Sequence, residues 1–182
     1  MPWSPLAHFP AELHAVAGGI RLACFDVDGT LTDGHLYYDH AGNESKAFYV
    51  QDGLGLKLLQ KHGIHPVLIT ARNSLSAQRR GADLGIDTQI AVGDKLASVR
   101  ALCAQHGIGL EQVAFMGDDL PDFAPLCAVG LAVAPANAHP LVAERVHWRT
   151  RAEGGRGAAR ELCDVLLAAQ GKLDAAVAGF AR

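Results

Sequence analysis

The stretch Ile20-Arg21-Leu22-Ala23-Cys24-Phe25-Asp26-Val27-Asp28-Gly29-Thr30-Leu31-Thr32-Asp33-Gly34 decides how this chain is read. An apolar run from Ile20 breaks into two carboxylates one residue apart, then a glycine, a threonine and a turn. A short apolar run bounded by glycine predicts a buried strand feeding a loop. On an ideal strand Asp26 and Asp28 would share a face. Two carboxylates side by side repel and are costly to bury, and a hard cation such as Mg²⁺ relieves both problems. Alone, the pattern is equally compatible with a solvated turn, because Asp-Gly is a common turn pair.

Working outward, further apolar runs fall at 66–70, 88–92, 113–116 and 130–134. Between them lie residues at helical spacing, such as Leu54, Leu58 and Leu59, or Leu96, Val99, Leu102 and Cys103. Alternating strand and helix predicts an α/β fold with a parallel sheet covered on both faces. Such sheets bind ligands at the carboxyl ends of their strands. Residues from about 35 to 50 break the alternation. Leu36-Tyr37-Tyr38 and Lys46-Ala47-Phe48-Tyr49-Val50 flank a polar, Gly-containing turn and read as a β-hairpin. A lone hairpin is marginal in water, so this one packs either on its own domain or on another subunit. Residues 1–19, with Pro2, Pro5 and Pro10, read as a peripheral extension with one short helix, and 20–182 as a single domain.

The bulk properties exclude several classes. The 182 residues are 49% hydrophobic and 19% charged, a globular composition. The net charge of -3 gives no basic character suited to nucleic acid. No apolar run approaches a membrane span, and no signal peptide is recognisable. Cys24, Cys103, Cys127 and Cys163 form no C-x-x-C pair and read as reduced thiols in apolar surroundings. A cytoplasmic protein is the expectation. The nine histidines show no metal-ligand spacing.

Four polar sites follow four of the apolar runs: Asp26/Asp28, Thr70 with Arg72, Lys95, and Asp118/Asp119 with Asp122. On a parallel sheet they gather at one edge, where the chemistry they suit is phosphoryl transfer. Asp26 is then the nucleophile that forms an aspartyl-phosphate, and Asp28 the acid and base. Asp118 completes an Mg²⁺ site with Asp26 and the backbone carbonyl of Asp28, while Thr70 and Lys95 hold phosphoryl oxygens. Singly, each site has a plain alternative: Thr70 as a cap for a helix near Ser74, Lys95 as a solvated lysine, Gly117-Asp118-Asp119 as a turn. Their joint order makes coincidence a poor account.

These motifs, D-x-D-G-T, Thr70, Lys95 and G-D-D-x-x-D, resemble the four motifs of the haloacid dehalogenase superfamily of phosphatases. The resemblance runs from Ile20 to about Gln170 and implies a Rossmann-like core and Mg²⁺. It further implies that Asp122 supports the metal through water, and that Asp119 orients either Lys95 or a metal-bound water. Only about forty residues separate Asp28 from Thr70, too few for the large cap domain of many members. Leu31-Thr32-Asp33-Gly34, Gly42-Asn43-Glu44-Ser45-Lys46-Ala47-Phe48, Asp52-Gly53 and Gly154-Gly155-Arg156-Gly157-Ala158-Ala159-Arg160-Glu161 resemble one capless branch, the 3-deoxy-D-manno-octulosonate 8-phosphate phosphatases. Ala71 departs from that branch, where Gly is common. The branch implies a homotetramer built on the hairpins and a role in lipopolysaccharide precursor synthesis. It also implies a flexible Gly-rich tail from about 154 that reaches a neighbour's site. Arg72, Arg156 and Arg160 are then candidates for an anionic sugar acid. The competing expectations are a phosphatase for a related nine-carbon sugar acid phosphate and a non-catalytic scaffold. Retention of Asp26, Asp28, Thr70, Lys95 and Asp118 argues against the scaffold.

Overall fold

The computed structural model describes residues 3–180; Met1, Pro2, Ala181 and Arg182, at the outer ends of the expected extension and domain, lie outside them. Strand β1 (Leu22–Phe25) is followed by a hairpin of β2 (Tyr37–Tyr38) and β3 (Glu44–Ser45). Then come β4 (His65–Ile69), β5 (Asp87–Gln89), β6 (Val113–Met116), β7 (Leu131–Ala134) and β8 (Trp148–Arg149). All but the hairpin pair in parallel in one sheet, in the order β5-β4-β1-β6-β7-β8. The helices are α1 (His14–Gly19), α2 (Val50–Lys61), α3 (Leu75–Leu84), α4 (Lys95–His106), α5 (Phe123–Leu126), α6 (Pro140–Ala143), α7 (Ala158–Ala169) and α8 (Leu173–Ala178).

The side-chain alternation of the strands divides the core in two. Ala23, Phe25, Leu68, Met116 and Val133 pack on one face with Leu59 of α2 and Leu162 and Leu166 of α7. Leu22, Cys24, Val67, Ile69, Phe115 and Ala132 pack on the other with Val99 and Leu102 of α4 and Leu126 of α5. Both faces of β1 are therefore dry, which is why its sequence is continuously apolar. Cys24, Cys103 and Cys163 are buried free thiols, whereas Cys127 is exposed, outside the apolar setting expected of it.

Three parts of the chain differ from the sequence reading. The segment before β1 is not peripheral: Phe9 and Ala17 join the core, and Phe9 meets Trp148 edge-on at 5.0 Å. The hairpin is shorter than expected. Its second arm ends at Ser45, and Val50 already opens α2. Finally, Gly154–Gly157 is a tightly packed strap, not a loose tail. Gly154 donates to Asn137 Oδ1 at 2.9 Å and Gly155 to the Thr30 carbonyl at 3.0 Å. A Cβ on Gly154 would stand 1.7 Å from the Gly29 carbonyl oxygen, so only glycine lets the two backbones meet. The strap leads into α7, which packs along α2.

The junction of α2 with α7 rests on Asp52. Helix α7 begins after Gly157 without a side-chain cap of its own. Instead Asp52 Oδ1, from α2, accepts the Arg160 N–H at 2.8 Å, while its Oδ2 is buried without a partner. Burial is the main influence on this carboxyl and pushes it up to about 6, against the backbone N–H groups of Arg160 and Gly157. The folded state thus keeps a proton that the unfolded chain releases near the ordinary value of about 4. Whatever stability the protonated carboxyl supplies is complete below about pH 4 and is lost as pH rises through about 6. The stability advantage of the native protein over Asp52→Asn should therefore shrink by on the order of 2 kcal/mol between pH 4 and 7.5, read by urea unfolding. A pH-independent difference would contradict this account.

Candidate active site

Register gathers the predicted residues at one edge of the sheet. Phe25, the last residue of β1, lies opposite Leu68 of β4 and Met116 of β6. Asp26 comes one residue beyond Phe25, Thr70 two beyond Leu68 and Asp118 two beyond Met116, all at the carboxyl ends. Strand β1 is also where the order reverses, since β4 and β5 lie to one side and β6 to β8 to the other. A crevice at such a switch point is where open α/β sheets bind ligands. Here it is a cleft of about 280 Å³ lined by Asp26, Asp28, Thr70, Arg72, Lys95, Asp118 and Asp122, among others. Asp26 and Asp28 do not share a strand: β1 ends at Phe25 and both sit in the following loop.

Lys95 is the first residue of α4, with Asp94 capping that helix through the Ala97 N–H at 2.9 Å. A buried ammonium at the positive end of a helix is locally unfavourable. It is compensated by Asp26 Oδ1 at 2.6 Å and Asp122 Oδ1 at 2.5 Å. Burial works against the Lys95 charge, yet the two carboxylates outweigh it and raise its pKa. Asp122 Oδ2 also accepts the Asp118 N–H at 3.1 Å, holding the loop after β6. Thus Asp122 orients Lys95, a role the sequence left open for Asp119. Asp119, exposed at the edge of the same cleft, accepts the Leu120 N–H at 2.8 Å.

Asp28 lies on the other side of the cleft, where Lys46 donates to its Oδ1 and Thr70 Oγ1 lies 3.4 Å from its Oδ2. Thr70 does not cap α3, because Ser74 does so through the Ala77 N–H at 3.2 Å. Arg72 lines the cleft but is engaged by the hairpin, with Glu44 Oε2 at 2.5 Å and the Tyr38 hydroxyl at 3.4 Å.

Asp26, Asp118 and Asp122 each offer an oxygen within 4.8 Å of the others, a set able to hold a metal ion. Burial, joined by the charge of Asp122, pushes Asp26 upward and Asp118 up to about 7. A bound cation would favour the ionised form of both. Asp26, Asp28, Asp118, Asp119 and Asp122 line the cleft against only Lys95 and Arg72, an excess of negative charge. An all-oxygen donor set of this kind suits a hard cation.

Comparison with known proteins agrees with this geometry. A family model of haloacid dehalogenase-like hydrolases matches residues 91–162. The 3-deoxy-D-manno-octulosonate 8-phosphate phosphatase of Escherichia coli (strain B / BL21-DE3) is 46% identical over 168 residues, covering 91% of this chain and 89% of that protein. The chain belongs to this family of haloacid dehalogenase-like phosphatases. Among solved structures, a hypothetical protein from Xanthomonas campestris is 66% identical with a TM-score of 0.98, over 100% of both chains. The family's Moraxella catarrhalis enzyme, solved with magnesium, phosphate and 3-deoxy-D-manno-octulosonate (KDO), is 40% identical with a TM-score of 0.90, over 93% of this chain and 98% of that one.

The structure thus brings Asp26, Asp28, Thr70, Arg72, Lys95, Asp118 and Asp122 together, but not the two later arginines. Arg156 lines a separate recess of about 360 Å³ with Asp33, Phe48 and Tyr49, its Nε 3.8 Å from Glu153. Arg160 sits on α7 and pairs with Asp164 at 2.8 Å, with its stem against Gly55. Within this chain, Arg156 belongs to the strap and Arg160 to α7. The sequence reading missed Lys46 and Glu44, although both lie in the stretch that resembles the branch. It also missed Thr30, whose hydroxyl donates to Asp118 Oδ1 at 3.0 Å. Gly29 explains its place in the motif: φ is +89°, and a Cβ would stand 2.1 Å from Asp118 Oδ2. Gly29→Ala should cost about 1–3 kcal/mol in urea unfolding and weaken divalent-cation binding in a titration. Native stability and affinity in that variant would refute the required close approach.

Proposed function

We propose that this protein is a phosphoric monoester hydrolase that converts 3-deoxy-D-manno-octulosonate 8-phosphate into 3-deoxy-D-manno-octulosonate and phosphate. The observation that carries the reading is the cluster of Asp26, Asp118 and Asp122 around buried Lys95 at the switch point. The substrate follows from the family's relatives, similar along nearly their whole length. In this reading an Asp26 carboxylate oxygen bonds to phosphorus as the bond to the sugar oxygen breaks, and Asp28 gives its proton to that oxygen. Asp28 then takes a proton from the water that attacks the aspartyl-phosphate, which releases phosphate and restores Asp26. Thr70 and Lys95 hold the phosphoryl oxygens, and Arg72 faces the sugar acid's carboxylate. Mg²⁺ would be held by Asp26, Asp118 and the Asp28 carbonyl, with Asp122 in support through water, and would supply positive charge against the phosphate and its nucleophile.

The product is a precursor of lipopolysaccharide, and the reaction belongs in the cytoplasm. Among the described residues no helix is long and apolar enough to cross a membrane. The assembly in this reading is a homotetramer. Its support is the exposure of Leu36, Tyr37, Tyr38, Tyr49 and Val50, with Val50 77% exposed, along the hairpin and the start of α2. Apolar exposure of this extent is characteristic of interaction surfaces. In light scattering, the four-chain mass is expected at micromolar concentration; a monomer would refute the assembly.

The decisive assay is phosphate release from a panel of sugar phosphates with and without Mg²⁺. The expected result is Mg²⁺-dependent preference for the eight-carbon 3-deoxy acid over nine-carbon analogues. Asp26→Asn should remove turnover by at least about a thousandfold while leaving the circular dichroism spectrum intact. Equal rates across the panel would overturn the substrate, and an active Asp26→Asn variant the covalent mechanism.

A further inference from the structure

Lys46 belongs to none of the four motifs, yet its side chain has no exposed surface. It lies just beyond β3, and its ammonium spans Asp28 Oδ1 and Glu44 Oε1, the latter at 3.2 Å. A buried ammonium is expensive, and an apolar residue of similar size stabilises a fold as well or better. Packing alone therefore does not account for a lysine here. Lys46 is also not among the residues that line the cleft, whereas Asp28 is. Any effect it has on the reaction passes through Asp28.

The contacts on Asp28 are divided between its two oxygens. Lys46 takes Oδ1, and Oδ2 is left on the side of Thr70. If Thr70 holds the phosphoryl group, Oδ2 is the oxygen beside the scissile bond. Lys46 is itself fixed from behind by Glu44, whose second oxygen is held by Arg72.

We propose that Lys46 is a positioning residue for proton transfer: it anchors Asp28 by one oxygen so that the other faces the leaving group, with Glu44 as its counter-anchor. The hairpin then takes part in the chemistry as the arm that sets the aim of the acid–base group. This rests on the reading of Asp28 as acid and base, and the test separates the two.

The readout is dependence on the leaving group. A primary alkyl phosphate, such as the 8-phosphate of the sugar acid, expels an alkoxide and needs a proton; p-nitrophenyl phosphate expels a stabilised phenolate and needs little help. Lys46→Met should lower kcat/KM, which reports the steps up to formation of the aspartyl-phosphate, about ten- to a hundredfold on the alkyl ester and less than about threefold on the aryl ester. Lys46→Arg, which keeps the charge, should recover most of the loss. Equal losses on both esters, or none on either, would overturn the proposal, since a merely structural role does not discriminate between leaving groups. If Lys46→Met does not fold, Glu44→Gln must show the same discrimination in weaker form, and an even loss there would overturn it likewise. Asp28→Asn is the control. It is read by kcat/KM, which ends at aspartyl-phosphate formation, because Asp28 serves again as base in the hydrolysis common to both esters; if its kcat/KM loss is no larger on the alkyl than on the aryl ester, the acid–base reading itself is wrong, whatever Lys46 does.

Discussion

The site depends on one buried ammonium. Lys95 sits between Asp26 and Asp122, and Asp122 in turn holds the backbone of Asp118. Remove that charge and two carboxylates face each other in a dry crevice, a cost that breaking a buried pair typically places at about 3–5 kcal/mol. The ion pair therefore links two strand ends and a helix start: β1 through Asp26, β6 through Asp118 and α4 through Lys95. It also explains why the carboxylate cluster tolerates burial, and why it remains short of positive charge.

Much of this was legible before any coordinates. The apolar runs beginning at Ile20, Pro66, Val113 and Gly130 became buried strands, because a parallel sheet covered on both faces needs uninterrupted apolar residues, whereas of the run 88–92 only Thr88 and Gln89 fall in a strand, the polar edge strand β5. The four motif positions converge because residues just past parallel strands have nowhere else to go. Local chemistry was less legible. Val50 reads as a strand residue by composition, yet α2 takes it, since helix propensity yields to the packing of the turns that follow. Gly154 and Gly155 read as flexible, yet they serve close backbone approach, which sequence cannot tell apart from mobility. Arg160 read as a substrate group from its charge, and within this chain that charge is taken by Asp164, one helical turn away.

Lys46 shows a different limit. Its partner Asp28 is 18 positions away in sequence, and no periodicity connects a residue after a hairpin to a loop after a strand. Only the fold brings them together. The same is true of Asp52, which caps a helix that begins more than a hundred residues later. Contacts of this kind hold the short hairpin and the last large helix in place, and short local pattern carries almost none of the information needed to find them.

The glycine strap has a consequence for how the protein comes into being. The loop that carries Asp26 and Asp28 is synthesised well before Gly155, yet part of its backbone bonding comes from that residue, whose N–H reaches the Thr30 carbonyl. Domains generally fold as units, and here the nucleophile's loop lacks its backing until the strap at Gly154 and Gly155 has left the ribosome. A nascent or prematurely terminated chain that ends before the strap carries every motif residue and still lacks the clasp behind them. Competence in this molecule thus waits on the strap and not on the motifs alone.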